Sequence, residues 1–144
     1  MDAIAENRMK RVLAFGVFDL LHPGHLAFLR QARRLGDELV VVVTRDDAAT
    51  REKGRRPRLT ARERMRLVSG VRWVDRAVIG DPPERYFAVI RRLKPNIIAL
   101  GYDQPCSVSA FHETLRSLGL PKTRLERLKE YRGHRYHSRK LAAS

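Results

Sequence analysis

The chain has 144 residues, 43% of them hydrophobic, which suits one compact domain and excludes wholesale disorder. No window approaches about eighteen consecutive apolar residues, and the start MDAIAENRMKR lacks the apolar stretch of a signal peptide, so no membrane span is expected and a cytoplasmic location is. A single cysteine, Cys106, excludes an intrachain disulfide and a cysteine-built zinc site, and the net charge of +14 favours polyanionic partners, either nucleic acid or phosphorylated small molecules.

Residues 1–9 read as a flexible lead-in to one domain spanning 1–144. Arg11–Gly16 (RVLAFG) is a short apolar run ending in glycine and reads as a buried strand. Leu26–Leu35 carries apolar residues near helical spacing, and Gly36 closes that helix. Glu38–Thr44 (ELVVVVT) is β-branched with almost no polar alternation, the pattern of a strand covered on both faces in a parallel sheet. Asp46–Arg58 is polar, basic and broken by Gly and Pro, so it reads as a flexible loop.

Thr60 followed by Glu63 is a capping box opening a helix to about Ser69. A third strand falls at Arg76–Ile79. A helix opens at Asp81-Pro82-Pro83 and stops at Pro95. Asn96–Leu100 is a buried strand, His112–Leu118 a helix closed by Gly119, Thr123–Leu128 an edge strand and Ser138–Ala143 the start of a last helix. Alternating strands and helices predict an α/β class, a single doubly wound parallel-sheet domain of Rossmann-like type.

The segment Gly16-Val17-Phe18-Asp19-Leu20-Leu21-His22-Pro23-Gly24-His25 joins the first strand to the first helix. Open α/β sheets bind ligands there, at the carboxyl ends of their strands. Pro23 suits the first helical turn, where its missing N–H costs nothing. Gly24 lets a phosphate approach the backbone, toward the positive end of the helix. His22 and His25 stand three apart and so share one helical face. Two imidazoles beside a helix N-terminus can grip a phosphate whose charge grows in a transition state. By spacing alone the pair also fits two metal ligands or a capping accident.

GVFDLLHPGH resembles the GxFDxxHxGH signature of the cytidylyltransferase-like superfamily, and the resemblance runs over nearly the whole chain. It implies the HxGH nucleotidyltransferase form of the fold. His22 and His25 would meet the phosphates at the reacting centre, and the backbone at Val17 and Phe18 would lie against the nucleotide. Many relatives carry Thr where Val17 stands, so a hydroxyl contact is missing. Lys53, in KGRRP, and Arg64, in RERMRL, match residues that touch the triphosphate. Asp103, in GYDQ, matches a position facing the nucleotide and acceptor. Arg132, His137, Ser138 and Arg139 fall where relatives place RTxGxSST, and only Ser138 keeps a hydroxyl.

The segments LGDELVVVVTRDD, LKPNIIALGYDQ and YRGHRYHSRK resemble archaeal-type FAD synthases more than glycerol-3-phosphate cytidylyltransferases. That resemblance implies ATP and FMN as substrates, FAD and pyrophosphate as products, and a divalent metal such as Mg carried with ATP rather than a metal site in the protein. It also implies a homodimer. His134 stands near where such synthases often carry a cysteine. CTP with a phosphorylated alcohol is the alternative reaction. A nucleic-acid-binding module is the competing class, supported by charge in 51–58 and 129–140 but by no recognisable binding motif. Tyr102, Phe111 and Tyr136 are candidate walls for a flat ring.

Overall fold

The computed structural model describes residues 9–82, 85, 87–104 and 106–130. Five strands, β1 (Arg11–Gly16), β2 (Glu38–Val43), β3 (Arg76–Ile79), β4 (Ile97–Leu100) and β5 (Arg124–Arg127), form one sheet in the order β3-β2-β1-β4-β5. Every neighbouring pair is parallel. β1 is central, and its Gly16 lies level with Val43 of β2. The order reverses at β1, so a crevice opens at the carboxyl ends of β1 and β4, the switch point of a doubly wound sheet.

Alternation along the strands divides the core into two layers. Val12 and Ala14 of β1 with Leu39, Val41 and Val43 of β2 face helices α1 (Pro23–Arg34) and α3 (Ala61–Ser69) through Leu29, Ala32 and Val68. Leu13, Val40 and Val42 face α4 (Ala88–Leu93) and α5 (Val108–Ser117) through Val89, Ile90, Leu93 and Leu115. Residues 39–43 are buried throughout, as a strand covered on both faces requires.

Several boundaries differ from those read in the sequence. The segment expected to be a loop over Asp46–Arg58 is largely helix α2 (Asp46–Lys53). Asp46 and Asp47 occupy its first turn, Arg51 and Lys53 its last, and Gly54 ends it in a left-handed conformation with φ 77°. The amide of Ala48 holds the Asp47 carboxyl below the usual aspartate value, which suits a carboxylate at a helix start. Only Ala49 is buried, so there was no apolar stripe to recognise.

Helix α1 starts at Pro23, in the first turn as expected for that proline and ahead of the apolar run from Leu26, and α5 starts at Val108 rather than His112 because Ser107 caps it. Helix α4 begins only at Ala88 rather than at Asp81-Pro82-Pro83, and ends at Lys94, in a left-handed conformation ahead of Pro95. The Thr60–Glu63 capping box is present in both directions, at 3.1 and 3.0 Å. β5 is a parallel edge strand. The helix expected at Ser138–Ala143 lies outside the described residues. Among the described residues no helix is long and apolar enough to cross a membrane.

Candidate active site

The site is built from the turn that leaves β1. A side chain at Gly16 would put its Cβ 2.6 Å from Cε2 of Phe18, so this position admits only glycine while the Phe18 ring stays in place. Phe18 is left-handed, with φ 53°. For a bulky residue this conformation costs on the order of 1–3 kcal/mol and persists only where its surroundings impose it. The ring is buried, 4% exposed.

The turn is stitched to the chain around α2. Asp19, also buried, accepts from the Arg58 amide at 2.9 Å and the Leu59 amide at 3.2 Å. Arg64 is 0% exposed. Its Nη1 donates to the carbonyls of Val17 (2.8 Å) and Thr44 (2.9 Å), its Nε to that of Leu59 (3.0 Å), and its Nη2 to Asp46 Oδ1 (2.6 Å). Arg64, expected to touch a triphosphate, thus has these hydrogen bonds on protein acceptors and no exposed surface in this structure. The side chain faces inward from α3, and its rigid fork joins the ends of β1 and β2 to both flanks of α2.

His22 does not lie on the helix. It is extended (φ −144°, ψ 172°) and forms the N-cap of α1, with Pro23 at the first helical position. Its Nδ1 accepts from the Gly24 amide at 3.1 Å, which places the proton of the neutral imidazole on Nε2 and makes that nitrogen a donor. The capping reading of this histidine is thus correct, and compatible with a second role. His25 lies one turn in, and the two rings stack with centroids 3.8 Å apart and planes 21° apart. The pair converges as expected, by stacking across the cap rather than by sharing a helical face.

On the other side of the switch point, the turn after β4 is held by Gln104. Its Oε1 accepts from the Gly101 amide at 2.7 Å, and its Nε2 donates to the Phe15 carbonyl of β1 at 3.2 Å. Arg127, at the end of β5, donates to the carbonyls of Gly101 (2.9 Å) and Gln104 (2.8 Å). Asp103 is exposed on this turn. Partial burial, with the charges of Asp103 and Glu130, pushes the Tyr102 phenol above its usual value, so it stays neutral. Phe111 is partly buried and packs against Phe87, 6.4 Å between centroids, on the edge of the second core layer.

Lys53 is exposed at the end of α2, and Val17 is buried beside Phe18. Arg132, His134, Tyr136, His137, Ser138 and Arg139 lie outside the described residues. Sequence reasoning passed over Asp19, Gln104 and Arg127. The first is part of the signature, but each has a partner far along the chain, Arg58 for Asp19, Phe15 for Gln104 and Gly101 for Arg127, where no spacing rule reaches. Among the described residues no three His, Cys, Asp or Glu side chains cluster so as to hold a metal ion.

Comparison with known proteins agrees with this geometry. The chain is 46% identical over 117 residues to the FAD synthase of Pyrococcus abyssi, covering 81% of this chain and 79% of the relative. It is 48% identical over 113 residues to the FAD synthase of Thermococcus sibiricus, covering 78% and 76%. The crystal structure of a lipopolysaccharide core biosynthesis protein from Thermoplasma volcanium superposes with a TM-score of 0.80 at 40% identity, covering 85% of this chain and 98% of that one. A cytidylyltransferase-like family model matches residues 13–142. With the signature turn, the stacked histidines and the 3-2-1-4-5 sheet in place, the chain belongs to the cytidylyltransferase-like family of nucleotidyltransferases.

Proposed function

We propose that the chain transfers AMP from ATP to FMN, releasing pyrophosphate and giving FAD. The observation that carries this reading is the identity of 46% to an FAD synthase over four-fifths of the chain. The stacked histidines at the switch point supply the matching chemistry. A phosphate monoester is largely dianionic at neutral pH, so the FMN phosphate is a nucleophile without a strong general base. One of its oxygens bonds to the α-phosphorus of ATP as the bond from that phosphorus to the bridging oxygen breaks and pyrophosphate departs.

Nε2–H of His22 and the imidazole of His25 hold the phosphates as charge moves onto the pyrophosphate, and no covalent enzyme intermediate is required. Lys53 approaches from the end of α2. The backbone at Val17 and Phe18, with Asp103, is assigned to the nucleotide side, and the family resemblance assigns Arg132 and Ser138 there as well. Arg64 supports this arrangement from behind. A divalent metal carried on ATP would neutralise part of its charge, leaving His22 and His25 to hold the phosphates rather than the metal. The assembly implied by the resemblance is a homodimer, which sedimentation reads directly.

The test mixes enzyme, ATP, FMN and Mg, separates flavins by chromatography and measures pyrophosphate. FAD forming in step with pyrophosphate is the expected result. CDP-glycerol from CTP and glycerol 3-phosphate, with no FAD, would replace the acceptor and base while leaving the histidine chemistry in place. Salt-dependent RNA binding with no nucleotidyl transfer would overturn the reading altogether.

A further inference from the structure

We infer that Phe18 is a positioning residue for His25: its ring, turned back by a left-handed backbone, sets the imidazole of His25 against that of His22. The inference rests on the proposed role of the histidines. It adds a side chain where the signature resemblance uses only the backbone.

Phe18 holds a conformation that bulky residues avoid, φ 53°. Both of its neighbours are tied. The carbonyl of Val17, in the peptide leading into Phe18, accepts from the buried Arg64 guanidinium at 2.8 Å. The carboxylate of Asp19, on the other side, accepts from Arg58 and Leu59 amides. So constrained, the ring enters the space that Gly16 leaves by lacking a Cβ. There it meets His25 in a T-shaped contact, centroids 5.3 Å apart and planes at 65°. Phe28 backs it at 6.5 Å.

His25 is thus held between a phenyl ring and the stacked imidazole of His22. An edge-to-face contact fixes the rotation of a ring as well as its place. Leucine at position 18 would fill much of the space but has no flat face, and the His25 ring would turn more freely about its last torsion. A donor aimed at developing charge loses effect when misaimed, and displacements near 1 Å cost up to about a hundredfold in rate. The loss falls on kcat, because the contact strengthens in the transition state.

The test compares Phe18→Leu, Arg64→Lys and their double variant for FAD formation, urea midpoint and the imidazole resonances of His22 and His25 in NMR. Phe18→Leu is expected to lower kcat roughly tenfold or more, with the KM for ATP changed about twofold at most. The His25 resonances are expected to move without nucleotide present. Arg64→Lys keeps the charge and loses the fork, and is expected to give the same pattern. The double variant should be little worse than the worse single one, because both act through one ring.

Unmoved His25 resonances or wild-type kcat in Phe18→Leu, with His25→Ala inactive, would overturn the inference and leave the histidine reading standing. Wild-type turnover in His25→Ala would remove the histidine reading, while the resonances would still report whether Phe18 sets the ring. Additive losses in the double variant would show that Arg64 acts by another route. Should Arg64→Lys not fold, Phe18→Leu decides alone, and Phe18→Met, unbranched and adaptable, replaces it if leucine is not accommodated.

Discussion

His22 caps a helix and is proposed to hold phosphate, and replacing it should divide the two roles. As N-cap it accepts from the Gly24 amide at 3.1 Å, and its ring stacks on His25 at 3.8 Å while 9% exposed. Loss of a side-chain cap costs about 1 kcal/mol, within a range of roughly 0.5–2. For a chain of this size that lowers the melting temperature by about 2–6 °C. Loss of a donor to transition-state charge costs about 3 kcal/mol, a hundredfold or more in kcat. His22→Ala is therefore expected to show both losses. Asparagine is a strong capping residue, so His22→Asn should recover most of the melting temperature and little of the turnover. Calorimetry on the two variants, beside FAD formation at saturating ATP and FMN, measures both. If asparagine restores turnover along with stability, His22 serves only as a helix cap and its proposed phosphate contact is wrong. Near-wild-type turnover in His22→Ala would be equally damaging.

The exposed basic segment after Lys53 should be cut by trypsin after Arg55 in the free protein and protected by ATP with Mg, and Lys53→Ala should raise the KM for ATP and weaken that protection. Cleavage indifferent to nucleotide would show that the end of α2 does not meet the phosphates. Partial burial raises the Tyr102 phenol, with Asp103 and Glu130 adding to the shift. The neutral phenol is thus favoured in the folded state, and the stability this contributes is complete below the unfolded tyrosine value of about 10 and lost as pH rises through the higher folded value. Ultraviolet titration should show a late-ionising component that Tyr102→Phe removes, and an unchanged titration curve in that variant would refute the assignment.

Local chemistry was readable without coordinates wherever partners lie close along the chain. The run ELVVVV announced a strand covered on both faces, Thr60 and Glu63 a capped helix, and GVFDLLHPGH a phosphate-binding turn between a strand and a helix. Their shared reason is that β-branched runs, capping boxes and helix starts act over a few residues, and for GVFDLLHPGH it is the turn into a helix with Pro23 at its start that the structure shows. The class of fold followed from the alternation of such elements.

Tertiary structure decided the rest. Helix α2 buries only Ala49, so it is recognisable by end charges and a glycine cap but not by apolar periodicity. Arg64 stands in a basic helical run of the kind that usually faces solvent, yet it is fully buried because four acceptors, three of them from distant parts of the chain, replace its water. The left-handed turn at Phe18 is costly in isolation and stands because Arg64 and Asp19 tie its neighbours while Gly16 leaves room for the ring. The sequence alone determined which side chains were available for phosphate chemistry. Burial and long-range hydrogen bonds determined which of them stay accessible and which are tied into the fold, because both depend on groups that only the folded chain brings together.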